Sequence, residues 1–186
     1  MNKKQKIIDI SRKLGLTHVG SCLSVLPILE EIYSVKNPED KVLLSGAHAH
    51  LAHLMFTDPD RALELIHKDI HCNREAGCDA SGGSLGHNLG ISIGYALANP
   101  NISVYCIITD GSFHEGSEME ALRIAKSLNL TNLKVYANFN SYTAVAKINI
   151  DYLEEIINAI GFPVRVYRTN NGLSKLEGVA GHYLKL

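Results

Sequence analysis

Asp110-Gly111-Ser112 and Asn140 are the residues of this chain best placed to do chemistry. Asp110 closes an apolar run, Ile102 to Thr109, and opens a stretch with helical spacing. A carboxylate at such a junction can hold a hard cation, while backbone N–H groups of the following turn face an anion. Magnesium takes few protein oxygens and fills its octahedron with water and substrate phosphate, so an Asp and an amide oxygen suffice. Asn140, at the end of the next apolar run, can supply that amide. Taken alone, Asp110 reads equally as an N-cap in a tight turn. The loop Gly82-Gly83-Ser84-Leu85-Gly86 lets backbone approach a ligand closely. It lacks the G-K-[ST] ending of a P-loop and does not follow a strand as a dinucleotide fingerprint does.

The chain has nine histidines. His18, His48 and His71 each fall at an element end or in a loop, where an imidazole can donate to phosphate or move a proton. Each by itself is equally a surface or capping residue. His48, His50 and His53 suggest a zinc site, but only His50 and His53 share a helix face, and neither H-E-x-x-H nor an i,i+4 pair is present. That spacing argues against structural zinc. Glu115 and Glu120 stand about 140° apart on a helix, so they do not form one carboxylate pair. A helix N-terminus accounts for Glu115 and ion pairing for Glu120.

The elements that must position these residues follow from periodicity. Residues 5–14 and 24–34 have helical spacing, the second with Ser24 as N-cap and Pro27 in its first turn. Lys41 to Leu44 reads as a short strand and residues 46–56 as a helix. Another helical stretch runs from Asp58-Pro59 to about His67. The glycine-rich segment 77–90 leads into a helix ending near Asn99-Pro100. Ile102 to Thr109 and Leu133 to Phe139 read as strands buried on both faces, and Pro163 to Tyr167 as a further strand. Residues 113–129 and 150–160 are helical between them. This alternation is the α/β pattern, and open parallel sheets bind ligands at the carboxyl ends of their strands. Asp110-Gly111-Ser112 and Asn138-Phe139-Asn140 both fall there.

Composition narrows the classes. The 186 residues are 46% hydrophobic and 20% charged, with no linker between them, which fits one globular domain over residues 1–186. A net charge of −1 without long single-sign runs gives no basis for nucleic-acid or membrane-surface binding. The longest apolar stretches are strand-length, far below the roughly 20 residues of a spanning helix. Asp9 and Arg12 interrupt any signal-peptide core. Cys22, Cys72, Cys78 and Cys106 show no C-x-x-C spacing and read as reduced, buried thiols of a cytoplasmic protein.

Together the blocks resemble the diphosphate-binding half of transketolase, a thiamine-diphosphate enzyme, over nearly the whole chain and in order. Thr17-His18-Val19-Gly20-Ser21 looks like the family's first histidine motif, and Val42-Leu43-Leu44-Ser45-Gly46-Ala47-His48-Ala49 like its second. His71 to Gly77 and Ser81 to His87 resemble the third histidine and the G-S-L-G loop. Asp110-Gly111 through Asn140 resembles the G-D-G…N cofactor motif, with Glu115 and Glu120 in register. The resemblance implies a three-layer, thiamine-diphosphate-binding α/β fold with a mainly parallel sheet flanked by helices. It also implies Mg²⁺ held by the side chains of Asp110 and Asn140 and the backbone carbonyl of Tyr142. His48 and Gly111 would contact the diphosphate, with Ser112 and the late histidine His182 beside them. Gly83, Ser84 and Leu85 would flank the aminopyrimidine, and His18 and His71 would line the substrate channel. Glu115 and Glu120 would join a carboxylate network between active sites.

Two departures stand out. Thr109 replaces the first glycine of G-D-G, and Gly46-Ala47-His48 places its glycine one residue earlier than the family does. The pyrimidine-binding domain, with its cofactor-activating glutamate, is not in this sequence. The expected protein is therefore the N-terminal subunit of a split transketolase, inactive alone. It would associate as a homodimer and form a heterotetramer with a separately encoded pyrimidine-domain subunit. Its expected activity is transfer of two-carbon ketol units between sugar-phosphate or nucleotide-linked substrates. The alternatives are an α-type subunit of a thiamine-dependent 2-oxo acid dehydrogenase and a non-catalytic cofactor-binding module.

Overall fold

The computed structural model describes residues 2–169, 174–176 and 178–186. Four strands, β1 (Lys41–Leu44), β2 (Val104–Thr109), β3 (Leu133–Phe139) and β4 (Val164–Arg168), form a wholly parallel sheet in the order β1-β2-β3-β4. Their apolar residues are continuous because both faces are covered. Val42, Leu44, Tyr105, Ile107 and Tyr136 point into one core, and Leu43, Cys106, Ile108, Val135, Ala137 and Phe139 into the other.

Helices α1 (Lys3–Leu14), α2 (Val19–Val35), α3 (His50–Thr57) and α4 (Ala62–Lys68) pack on the first face. On the second lie α5 (His87–Ala98), α6 (Asp110–Phe113), α7 (Gly116–Ser127) and α8 (Ile150–Ile160). A short α9 (Gly178–Tyr183) returns to the N-terminus of α2, where the His18 N–H donates to the His182 carbonyl at 3.0 Å. The three-layer α/β arrangement is thus present, with strand limits at or within two residues of those read from periodicity. Among the described residues, no helix is long and apolar enough to cross a membrane.

Two helix boundaries differ from the sequence reading. The second helix starts at Val19, not after Ser24, and Pro27 lies inside it. Residues 19–26 are buried all round, so no polar face marks the start of the helix. Ser24 instead turns its hydroxyl to the Ser21 carbonyl at 3.1 Å and accepts from Asn138 Nδ2 at 3.0 Å. The stretch 113–129 is divided by extended backbone at Glu115. Gly86 packs against this break with φ +82°; a Cβ there would stand 2.5 Å from Ser117 Oγ and 2.7 Å from Glu115 Cβ. The glycine is required both by its left-handed backbone and by this close approach.

The connection leaving β1 turns to the α1–α4 face, whereas that leaving β2 turns to the opposite one. Adjacent strand ends whose chains diverge in this way leave a crevice between them. It lies between Gly46-Ala47-His48 and Thr109-Asp110-Gly111.

Candidate functional site

A cavity of about 410 Å³ occupies that crevice. Asp110 lies at its floor, 2% exposed. Its Oδ1 accepts from the Gly111 N–H at 3.0 Å, and its Oδ2 from the Asn140 and Tyr142 N–H groups at 2.9 and 3.2 Å. Burial pushes this carboxyl up to about 6, against the opposing pull of those N–H donors. Asn140 Oδ1 accepts from the same Tyr142 N–H at 3.0 Å, so two hard oxygens converge on one point. Among the described residues the lining includes neither Lys nor Arg, so none of them sets a Lys or Arg charge against Asp110.

Five histidines line the cavity: His18, His48, His71 and His182 from distant parts of the chain, and His114 directly after α6. The His18 ring centroid is 5.0 Å from that of His48 and 5.1 Å from that of His182. Desolvation, reinforced by the neighbouring imidazoles, pulls His18 down to about 4 and His48 to about 3; burial also lowers His182. His18 and His48 are therefore neutral at physiological pH and act as hydrogen-bonding groups, not as fixed charges. His18 also has φ +60°, uncommon for a residue with a side chain, and Thr17 Oγ1 lies 2.8 Å from its Nδ1. Gly83 abuts the His71 ring, and Leu85 reaches the cavity beside Gly111.

The two departures from the family motif meet in one contact. Thr109 is extended at φ −124°, so the position does not need glycine, and its Oγ1 caps α6 by accepting from the Ser112 N–H at 3.0 Å. Its methyl carbon points at Gly46, where a Cβ would lie only 2.8 Å away. The methyl group fills the space that Gly46 leaves open.

The family model described as 1-deoxy-D-xylulose-5-phosphate synthase matches residues 2–178. The chain belongs to this family, the N-terminal domain of transketolase-type enzymes. Among its relatives is a 6-deoxy-6-sulfo-D-fructose transketolase subunit, SqwG, of a Clostridium strain, 32% identical over 173 residues, covering 77% of this chain and 60% of that one. A 1-deoxy-D-xylulose-5-phosphate synthase of Fusobacterium nucleatum is 25% identical over 167 residues, with 84% and 27% covered. The fold matches a Campylobacter jejuni transketolase with a TM-score of 0.69 at 20% identity, over 91% of this chain and 38% of that one. The chain thus spans 60% of the SqwG subunit and about a quarter of the mouse transketolase-like protein 2, at 24%.

Within this transketolase-type domain, His18, His48, His71, Gly83, Leu85, Asp110, Gly111, Glu115, Asn140, Tyr142 and His182 all reach the cavity. Ser84, Ser112 and Glu120 do not. Ser84 is exposed on the glycine loop and Glu120 on the outer side of α7. Ser112 is buried behind the site, where its hydroxyl completes the α6 cap and donates to Glu118 Oε2 at 3.0 Å.

Glu118 was not singled out from the sequence. It is fully buried, with its Oε1 lacking a well-formed hydrogen bond, and the Ser45 hydroxyl faces the same carboxyl group. Burial raises it to about 7, aided by repulsion from Glu115. Asn138 is another buried lining residue, held between Ser24 and Thr169. Residues 142–145 close one side, the turn being held by the Thr143 N–H donating to Ala146 O at 2.9 Å.

Two expected outcomes follow from this geometry. Gly46→Ala should cost about 1–3 kcal/mol through overpacking against the Thr109 methyl. Thr109→Ser removes that methyl but keeps the cap, so most of the cost should vanish in the double variant; urea denaturation of the four-protein cycle measures the coupling. For Glu118, the native carboxyl keeps a proton between its ordinary value of 4.5 and about 7, which the unfolded chain has released. Its contribution to stability therefore falls as pH rises through that window. Glu118→Gln should exceed wild type in stability at pH 8 by up to about 3 kcal/mol, with the gap closing near pH 4 in chemical denaturation.

Proposed function

We propose that this chain is the diphosphate-binding half of a transketolase. It would hold Mg²⁺ and thiamine diphosphate and, with a pyrimidine-domain partner, pass two-carbon ketol units from a ketose to an aldose. The observation that carries this reading is the convergence of Asp110 and Asn140 with five histidines in one cavity. The donor set fits the metal: hard oxygens, a buried carboxylate, and no competing protein cation in the lining.

When bound, thiamine diphosphate supplies the carbon nucleophile of ketol transfer, and the protein supplies geometry and electrostatics. Asp110, Asn140 and the Tyr142 carbonyl hold the cation. His48 donates a hydrogen bond to diphosphate oxygen, assisted by His182, while Gly83 and Leu85 flank the aromatic ring. His18 and His71 donate to the sugar hydroxyl or carbonyl oxygen. Because the lining has no Lys or Arg, recognition of an anionic sugar terminus, phosphate or sulfonate, falls to the partner.

A separately encoded partner is supported by the name of the SqwG relative, a transketolase subunit. Exposed Ile91 and Leu97 on α5, with Ile124 and Leu128 at α7, give this chain apolar surface for assembly. Glu115 at the cavity rim and exposed Glu120 would join a carboxylate network with a neighbouring copy. The family match favours this branch over an α-type 2-oxo acid dehydrogenase subunit. A second reading, 1-deoxy-D-xylulose-5-phosphate synthesis, is favoured by the family model itself. The product separates the two: a 1-deoxy ketose ends in a methyl ketone, and a ketol-transfer product in a hydroxymethyl ketone.

Calorimetry of the assembled complex with Mg²⁺ and thiamine diphosphate should give a larger affinity loss for Asp110→Ala than for Asn140→Ala. The charge-assisted contacts at stake contribute roughly 1.5–3 kcal/mol. His48→Ala should also weaken cofactor binding, whereas His18→Ala and His71→Ala should lower turnover by about 10²–10³ with little change in cofactor affinity. Equal cofactor affinity in Asp110→Ala and wild type would remove the metal assignment. Purified alone, the chain should sediment as a dimer and transfer no ketol units. With its partner it should form an active heterotetramer, and ketol transfer by the chain unaided would overturn the split-subunit reading.

A further inference from the structure

Outside the lining of the cavity lies a buried cluster that the proposed mechanism does not use. His53 Nδ1, Cys72 Sγ and Cys78 Sγ come within reach of one centre, the ligand atoms all within 4.8 Å of one another. His53 comes from α3, and the two cysteines from the long connection between α4 and α5. His53 Nδ1 is 3.7 Å from Cys78 Sγ, close to the edge of roughly 3.6 Å implied by zinc bonds of about 2.3 Å to sulfur and 2.0–2.1 Å to nitrogen in a tetrahedron. On its other side, His53 Nε2 lies 2.8 Å from the Tyr33 hydroxyl. An imidazole that gives one N–H to an oxygen presents the lone pair of the other nitrogen to a metal.

His50 supplies the second, independent observation. It is fully buried, its ring is within reach of the Cys78 sulfur, and its Nδ1 lies 3.3 Å from the Asp69 carbonyl. Its Nε2 has no hydrogen-bond partner. A buried nitrogen left unpaired is costly, and a cation would satisfy it. Histidine spacing alone spoke against zinc; the cysteines supply the donors that the helix lacks.

We propose that His53, Cys72 and Cys78 are three ligands of a buried site for zinc, and that the His50 ring, which neighbours Cys78, turns in as the fourth donor when the ion binds. Two thiolates and two imidazoles select a thiophilic cation and reject magnesium, which prefers the oxygens of Asp110 and Asn140. The consequence is positional. The connection from Asp69 to Gly86 has only one short 3₁₀ turn, Arg74–Ala76, yet carries His71 and Gly83 into the cavity. Its described ties to neighbouring backbone include the Cys72 N–H donating to Ala47 O at 3.1 Å and the Gly82 N–H to Cys72 O at 2.9 Å. Zinc would fasten this connection to α3, two residues from His48 and one from His71.

The untagged full-length chain, purified without chelator, should contain one zinc per chain by elemental analysis. After stripping under reducing conditions, titration with Co²⁺ should produce a thiolate-to-cobalt charge-transfer band and the visible bands of a tetrahedral ion. Zn²⁺ should bleach both, while excess Mg²⁺ leaves them unchanged. Cys78→Ser should weaken Co²⁺ binding by more than about 100-fold, and Tyr33→Phe by about 10-fold with the charge-transfer band retained. Asp110→Asn should leave the titration unaltered. Absence of the charge-transfer band from the stripped wild-type chain would overturn the proposal. So would a freshly purified chain without zinc whose mass shows Cys72 and Cys78 oxidised to a disulfide.

Discussion

The Asp110 carboxylate is the tie on which the cavity depends. Three backbone N–H groups converge on it, two of them from the turn after β3, so one side chain ties the segments that leave β2 and β3 beyond the end of their ladder. The same bonds bring the Asn140 amide oxygen alongside and set where the 142–145 turn begins. Burial makes a charge here expensive, and the N–H donors offset only part of that cost, since the carboxyl remains above its ordinary range. A cation is the species that relieves this tension. The residue that organises the backbone is thus also the residue with most to gain from a ligand.

Around this tie, the sheet supplies position and the histidines supply tone. The β1 and β2 connections part to opposite faces, and the gap admits groups that no single helix or loop could present together. His18, His48, His71 and His182 lie far apart in sequence but line one cavity, and burial, reinforced by the neighbouring imidazoles, keeps His18 and His48 neutral. Neutral imidazoles at His18 and His48 orient oxygen atoms without fixing a charge. Charge is left to the Asp110 side of the cavity.

Much of this was readable in the chain. The strands were legible because a sheet covered on both faces leaves unbroken apolar runs, and Asp110 and Asn140 because they end two of those runs. The start of α2 was not, because a helix buried all round has no polar stripe to mark it. Glu118 was hidden for a related reason: a Glu in the first turn of a helix ordinarily faces solvent, and only packing against Ser112 turns it inward. Ser84 and Ser112 fall in motifs whose backbone approaches the cavity while their side chains do not. The nearness of Cys72 and Cys78 to His53 depends on how an irregular connection folds back, for which periodicity has no signal.

The contact between Gly46 and the Thr109 methyl has an evolutionary consequence. Rotating the methyl away would break the cap that Thr109 Oγ1 provides to α6, so the steric conflict cannot be relieved cheaply at that end. Threonine at 109 is therefore acceptable only on a background with glycine at 46. The two positions are therefore expected to be coupled, so that a side chain at 46 costs less once the threonine at 109 has been replaced. Across related chains, a side chain at position 46 should exclude threonine at 109, a pattern of covariation set by one methyl group.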